Sequence, residues 1–458
     1  MLMNDKKKLF ESVSPAKALF IMSLPTVASQ LILLIYNIAD TWFIGRTDNE
    51  SMIGALNLGM TIYMILVSIA NIFGVGGGSL MVRHNGEKRP EDAKKVATYS
   101  FFFSLVISAA FSVLVLIFLG PLLTVLGAKD MTLVYGRQYL FFTVVLGGIP
   151  TVLSMVMSQF LRNAGYSKEA GFGVAFGSAL NIALDPLFMF VILPPGNEVI
   201  GAAVATMLSN IASFIYFIIM YKKVSKESAL SLSLRPVKLE KTDLKSLYMV
   251  GIPAAVSIIL YDIVAMMLNR LSVNYGDGVK PLAAMGIILK VERIPINICL
   301  GICLGMVPLI AYNYGARNFK RMEKIAALSV FITTVISTVC MLCFFFFATS
   351  VTRAFVKDAE TVRLGAIILQ GRSIALPFMI FGYFAVNYMN AINKGKVSFL
   401  LAIIRHVILL LPIILIMNYV WGLTGLIWSQ VVADVLNMIV SLVFYLNVRK
   451  QLKNMLTE

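Results

Sequence analysis

KALFIMSLPTVASQLILLIYNIADTWFIG, residues 17–45, is an apolar run interrupted by Pro25 and carrying one carboxylate, Asp40, near its end. A helix of this length crosses a hydrocarbon layer of about 30 Å at roughly 1.5 Å per residue. The run is far longer than a signal-peptide core and no small-residue cleavage site follows it, so it reads as a retained first span. Similar blocks recur at 52–82, 95–119, 134–161, 168–193, 199–221, 246–275, 281–314, 325–349, 361–391, 396–419 and 424–447. Of 458 residues, 59% are hydrophobic and 14% charged, against about a quarter charged in soluble domains. That balance excludes a soluble multidomain enzyme, and the lack of alternating segments of about ten residues excludes a transmembrane β-barrel. The expected fold class is an all-α polytopic membrane protein with twelve transmembrane helices in two pseudo-symmetric six-helix bundles.

Lys and Arg sort to one side of that arrangement. Twenty-seven fall in the termini and alternate loops, seven in the opposite loops and five within spans. The positive-inside bias therefore places both termini in the cytoplasm, for a multi-pass protein of the cytoplasmic membrane. The longest polar connection, KKVSKESALSLSLRPVKLEKTDLK at 222–245, separates an N-terminal bundle, 1–221, from a C-terminal bundle, 246–458. The halves repeat: Pro25 and Pro253 are 228 apart, as are Lys168 and Lys396, while Gly86 and Gly315 are 229 apart. Six spans per copy insert both copies the same way up. An axis along the membrane normal should relate them, which suits two bundles rocking in alternating access.

The net charge of +16 needs no nucleic acid to explain it, because no segment joins a basic patch to interleaved aromatics. Cys299, Cys303, Cys340 and Cys343 lie in apolar runs and read as packing or lipid-facing residues. The last two form a CxxC without a second ligand pair, and His84 and His406 stand apart, so neither a metal centre nor a cofactor is expected. GVGGGS at 74–79 lacks a preceding strand and a following Lys-Ser or Lys-Thr; close helix packing or hinge flexibility is expected there in place of a phosphate loop. No catalytic constellation is present, so the chain is not read as an enzyme.

Ionisable groups within spans are expensive and mark function by default. The candidates among them are Asp40, Asp185, Asp262, Glu292, Asp434, Lys290, Arg293, Arg372 and Arg405. Counting along the helices puts Asp40 about 7 Å and Asp185 about 12 Å below the outer ends of their spans, with Thr206 at roughly the level of Asp185. Asn37 and Asn181 share a helical face with Asp40 and Asp185 respectively. Pro186 removes one backbone donor and frees a carbonyl about a turn earlier. Such oxygens suit a sodium ion or a trapped proton. The repeat offsets put Leu268 opposite Asp40 and Leu411 opposite Asp185, so ion coupling is expected in the N-terminal bundle alone. Arg405 and Asp434 both fall near the membrane centre and are expected to form a structural ion pair. Lys290 and Arg293 share a face of the eighth span and Glu292 points elsewhere, which leaves mouth-lining and local pairing open.

NIADTWFIG at 37–45, VGGGS at 75–79, LNIALDPLFMF at 180–190, VPLIAYNYGA at 307–316 and GLTGLIWS at 422–429 together resemble the multidrug and toxic compound extrusion (MATE) transporters, in their DinF-like and MepA-like branch. The resemblance covers essentially the whole chain. It implies efflux of cationic or amphipathic organic compounds, antiported against protons or sodium, by a monomer in contact with membrane lipids. Carried over by motif, the family's cation site falls on Asp40, Asn181, Asp185 and Thr206, with sodium as a transient ligand there. The family's other branch places a coupling Glu in the seventh span, and here Asp262 lies one residue out of register. Asp262 is therefore expected either to contact substrate, with Tyr261 and Asn37, or to pair with a basic residue of the eighth span. Export of a lipid-linked or other anionic precursor is the alternative within the same superfamily; it would use basic residues such as Arg372 and Arg405 to meet phosphate. A major facilitator transporter would carry G-x-x-x-D-[RK]-x-G-[RK] between spans two and three, where this chain has RHNGEKRPEDAKK at 83–95.

The charge bias predicts a topology. Cysteine introduced at Ser225 should be labelled from the cytoplasmic side only, and cysteine at Asn197 from the outside only. The reverse pattern would overturn the orientation.

Overall fold

The computed structural model describes residues 2–47, 49–225, 230, 233, 235–275 and 279–454; much of the 222–245 connection lies outside them. After a short helix, Leu2–Glu11, the helices are α1 (Pro15–Gly45), α2 (Glu50–Gly86), α3 (Pro90–Val125), a bent pair α4 (Asp130–Leu146) and α5 (Gly148–Asn163), α6 (Ser167–Ile192) and α7 (Glu198–Val224). There follow α8 (Lys241–Ser272), α9 (Val279–Gly315), α10 (Phe319–Phe346), a second bent pair α11 (Ala359–Ser373) and α12 (Leu376–Ala391), and α13 (Gly395–Leu452). Among the described residues nine helices are each long and apolar enough to cross a bilayer, and the pairs bent by 50° and 51° bring this to eleven. The expected spans 396–419 and 424–447 both lie in α13, which is interrupted at Gly422, where φ is +58°. Only a residue without a Cβ takes that conformation cheaply.

Helix breaks follow local sequence. Pro186 sits inside α6, and the chain widens into a π turn over Phe188–Ile192. Another π turn, Phe141–Leu146, leads into the bend at Gly147, and Ser112 Oγ donates to the Val144 carbonyl at 2.8 Å. A hydroxyl from a neighbouring helix thus satisfies a carbonyl that the bilayer could not. Caps are supplied by Asn49, which accepts from the Ser51 and Met52 N–H groups, and by Asp358, which accepts from Thr361. The Thr361 N–H holds the Asp358 carboxyl below the usual carboxylate range.

The repeat extends to the backbone. Lys88 and Arg317, 229 apart, both take positive φ (60° and 53°), as do Gly165 and Asn393, 228 apart (87° and 60°).

The chain divides into two units: Met1–Val13 with Leu24–Ala255, and Ser14–Ser23 with Val256–Glu458. By contacts, the boundary between the units falls inside α8 at Ala255. In the first unit, the start of α8 is held by a close crossing with α2: a Cβ on Gly76 would strike the Leu247 carbonyl, and one on Gly251 the Ile72 carbonyl. His84 adds Nε2 to Asp243 Oδ2 at 3.2 Å, and the Tyr99 and Tyr248 hydroxyls meet at 3.2 Å. In the second unit the equivalent crossing joins α1 to α9, where a Cβ on Gly305 would lie 2.7 Å from Ser23 Cα. The glycine run at 74–79 serves close packing: Gly77 abuts Ser100 and Gly78 abuts Asn163.

Gly76→Ala and Gly251→Ala should each lower the thermal stability of the detergent-purified protein, by about 1–3 kcal/mol for an overpacked contact. Gly286→Ala, with nothing within 4 Å of the added carbon, should be neutral or slightly stabilising. Equal behaviour of the three variants would contradict the crossing.

Candidate cation site and charge network

In the first unit, α6 and α7 bring Asn181, Asp185 and Thr206 together. Asp185 is fully buried and Asn181 and Thr206 nearly so. With the Asn181 amide turned so that its nitrogen faces the carboxylate, Nδ2 donates to Asp185 Oδ2 at 2.9 Å and Oδ1 accepts from the Thr206 N–H at 3.2 Å. The opposite orientation leaves one bond, Nδ2 to Thr206 Oγ1 at 3.3 Å, so the first satisfies more of the buried groups. Asp185 Oδ1 has no hydrogen-bond partner. Asp40, on α1, is buried and within electrostatic reach of Asp185, and Tyr36 and Tyr139 share the field of both acids. Asn37 is exposed and its Nδ2 donates to the Leu33 carbonyl at 2.9 Å.

Beside this cluster lies a cavity of about 190 Å³, entirely within the first unit. Its wall includes Tyr36, Tyr63, Asn181, Thr206 and Asn210, and also Arg162. Arg162 falls in no expected span, and its charge counts with the cytoplasmic loop in the sequence; in the structure it is buried in the last turn of α5. A charged residue near a helix end carries no sign in sequence that it turns inward.

The second unit handles its charges by pairing. Arg405 Nε donates to Asp434 Oδ1 at 3.0 Å, and the guanidinium lies 4.5 Å over the Tyr383 ring. Gln430 Nε2 donates to the other oxygen of Asp434. Arg372 grips Glu292 through two bonds, Nε to Oε1 at 2.8 Å and Nη2 to Oε2 at 2.9 Å, and reaches Gln430 Oε1 at 3.5 Å. Two buried ion pairs are thereby joined through one amide. Tyr261 lies under the Arg293 guanidinium at 5.1 Å and borders a cavity of about 20 Å³ with Glu292, Arg372 and Arg405. The side chain of Asp262 lies outside the described residues. Leu268 and Leu411, the counterparts of Asp40 and Asp185, belong to one apolar cluster with Val264, Leu410, Ile414 and Leu426.

Helices long and apolar enough to cross a membrane make this a multi-pass membrane protein, and the family it matches is one of transporters. The MatE family profile matches residues 25–187 and again 253–416. This chain belongs to the MatE family of transporters, in its MepA-like branch. It is 30% identical over 433 residues to the multidrug export protein MepA of Staphylococcus aureus (strain MSSA476), covering 94% of each chain. To MepA of Staphylococcus haemolyticus (strain JCSC1435) it is 31% identical over 425 residues, covering 93% of this chain and 92% of that one. Its fold is that of a MATE crystallised in complex with MaD3S and of an outward-facing multidrug resistance MATE family transporter of the MOP superfamily. Each gives a TM-score of 0.90 at 24% identity over 98% of both chains.

The second-unit network is expected to be structural. Removing one partner of a buried pair strands a charge, at about 3–5 kcal/mol. Arg405→Ala and Asp434→Ala should therefore each reduce the yield and melting temperature of purified protein more than the double variant does. Intact folding with lost transport in Arg405→Ala would instead make that residue a substrate or coupling group.

Proposed function

We propose that this protein is a proton- or sodium-coupled antiporter that exports cationic or amphipathic organic compounds by alternating access. The bundles 1–221 and 246–458 act as its two moving bodies, joined by a cytoplasmic 222–245 linker. It works as a monomer in the cytoplasmic membrane with both termini inside. The observation that carries this reading is the buried Asp185 carboxylate, with one oxygen held by Asn181 and the other unpartnered. An orphaned buried carboxylate oxygen is costly and becomes satisfied when it takes a proton or a sodium ion. Asp40, Asn181 and Thr206 supply further hard oxygen ligands of the kind sodium accepts. Relatives named as multidrug export proteins support the class of cargo, and the adjoining cavity offers aromatic rings and amides to it. Asn37, Tyr261 and Asp262 are further substrate contacts in this reading. Export of a lipid-linked anionic precursor draws less support, because Arg372 and Arg405 are already neutralised by Glu292 and Asp434.

Coupling requires that the ion bind the two access states unequally, since equal binding shifts nothing. Asp40→Asn and Asp185→Asn should each abolish gradient-driven transport of ethidium into inverted vesicles while leaving membrane insertion intact. Leu268→Met and Leu411→Met should do far less. Imposing sodium and proton gradients separately identifies the ion. Wild-type transport by the Asp40→Asn, Asp185→Asn double variant would remove this mechanism.

A further inference from the structure

Four arginines are buried in the described structure, and three of them lie beside a carboxylate. Arg83 is 3.8 Å from Glu87, Arg372 2.8 Å from Glu292 and Arg405 3.0 Å from Asp434. Arg162 differs. It is 5% exposed, its Nη1 donates to Gln159 Oε1 at 2.8 Å, and its Nε meets no acceptor. Among the described residues no carboxylate pairs with it. A guanidinium keeps its proton wherever it sits, so the first unit holds a buried positive charge answered only by an amide.

That charge borders the cavity described above. Along α7 the wall runs from Thr206 to Phe217, about 16 Å at 1.5 Å per residue. Thr206 marks the end where Asn181 leads to Asp185. Tyr221, one turn beyond Phe217, bonds the Met157 carbonyl of α5, which puts Arg162 toward the other end. Side chains on a helix lean toward its N-terminus, and the Gln159 bond one turn back shows Arg162 doing so. Its guanidinium therefore reaches along the cavity toward Asn181. The void ends on one side in the neutral Asn181 and Thr206, behind which Asp185 lies outside the lining, and on the other in the Arg162 guanidinium, and Tyr36, Tyr63 and Phe217 supply aromatic wall.

We propose that Arg162 is the anion-recognising end of this cavity, which takes zwitterionic arylalkylamines with their ammonium toward Asn181 and Asp185 and their carboxylate on the guanidinium. The proposal rests on the cavity being the substrate chamber of the exporter and narrows its cargo. A planar guanidinium matches a carboxylate through two parallel hydrogen bonds. A cation without the carboxylate would enter the same space and leave Arg162 unanswered, so the site discriminates between two molecules of nearly equal size.

The test measures binding to purified full-length protein in detergent by titration calorimetry. The probes are para-(aminomethyl)benzoate, a zwitterion at neutral pH, and its methyl ester, a cation. Wild-type protein should bind the acid about tenfold or more tighter than the ester, as one charge-assisted bidentate contact provides. Arg162→Gln should erase the preference by weakening the acid without weakening the ester, and Arg162→Lys should keep part of it. Equal affinity of wild-type protein for acid and ester overturns the proposal, and so does an equal loss of both in Arg162→Gln, which would make the residue a structural support. The wild-type comparison needs no variant, so it decides the matter if Arg162→Gln does not fold. No ion gradient enters the measurement; a failure of gradient-driven efflux leaves this result standing, and a failure here leaves the coupling test standing.

Discussion

A charge held away from water must be answered by another charge, by hydrogen bonds or by a visiting ligand, and both units of this transporter are arranged around that constraint. The second unit answers internally. Glu292 with Arg372 and Asp434 with Arg405 form pairs linked through Gln430, so the helices α9, α11 and α13 are tied at depth by groups that have no reason to part. The first unit leaves its charges open. Asp185 keeps an oxygen without a donor, and Arg162 keeps a donor without an acceptor. A scaffold repeated twice thus carries charges matched by counter-charges in one unit, although Arg372 Nη1 there also lacks an acceptor, and charges without a counter-charge in the other, which an ion or a substrate can answer.

Close helix crossings make that division of labour mechanically sensible. Gly76 and Gly251 let α2 and the start of α8 meet backbone to backbone within the first unit, and Gly305 lets α9 meet the start of α1 within the second. Each unit therefore incorporates the first turns of a helix whose remainder belongs to the other unit by sequence. A change in charge at Asp40, on α1, acts on a helix whose two ends are packed in different units. Pro25 falls just past the point where membership changes, and a proline inside a helix removes a hydrogen bond and eases bending there.

Much of this was legible from residues alone, for identifiable reasons. Carboxylates in apolar runs stand out because hydrophobic blocks leave few places for them, so Asp40 and Asp185 could be picked by depth and by Pro186. The Arg405 and Asp434 pair was legible because the two residues lie at similar depth in consecutive spans. The Glu292 and Arg372 pair was not, since nothing periodic connects residues on α9 and α11. Arg162 was hidden by a rule that is correct on average: a basic residue near a helix end counts toward orientation. Only the packing of α5 against its neighbours turns it inward. The Gly76 and Gly251 crossing was hidden for a related reason, because it is a backbone contact that composition does not register.

The leucines opposite the two acids sharpen the functional argument. Leu268 lies in an apolar cluster against which Leu411 packs, so both counterparts of the acids sit in apolar surroundings in the second unit. The scaffold is repeated, and chemistry is what distinguishes the copies at these positions. Two leucines there contribute packing alone, whereas two carboxylates there would repel if both were ionised without a cation. The first unit can relieve that repulsion in only two ways, by binding a positive ion or by moving the acids apart. Those would be the two states of the proposed alternating-access cycle, in which unequal binding of the ion would couple its gradient to the movement.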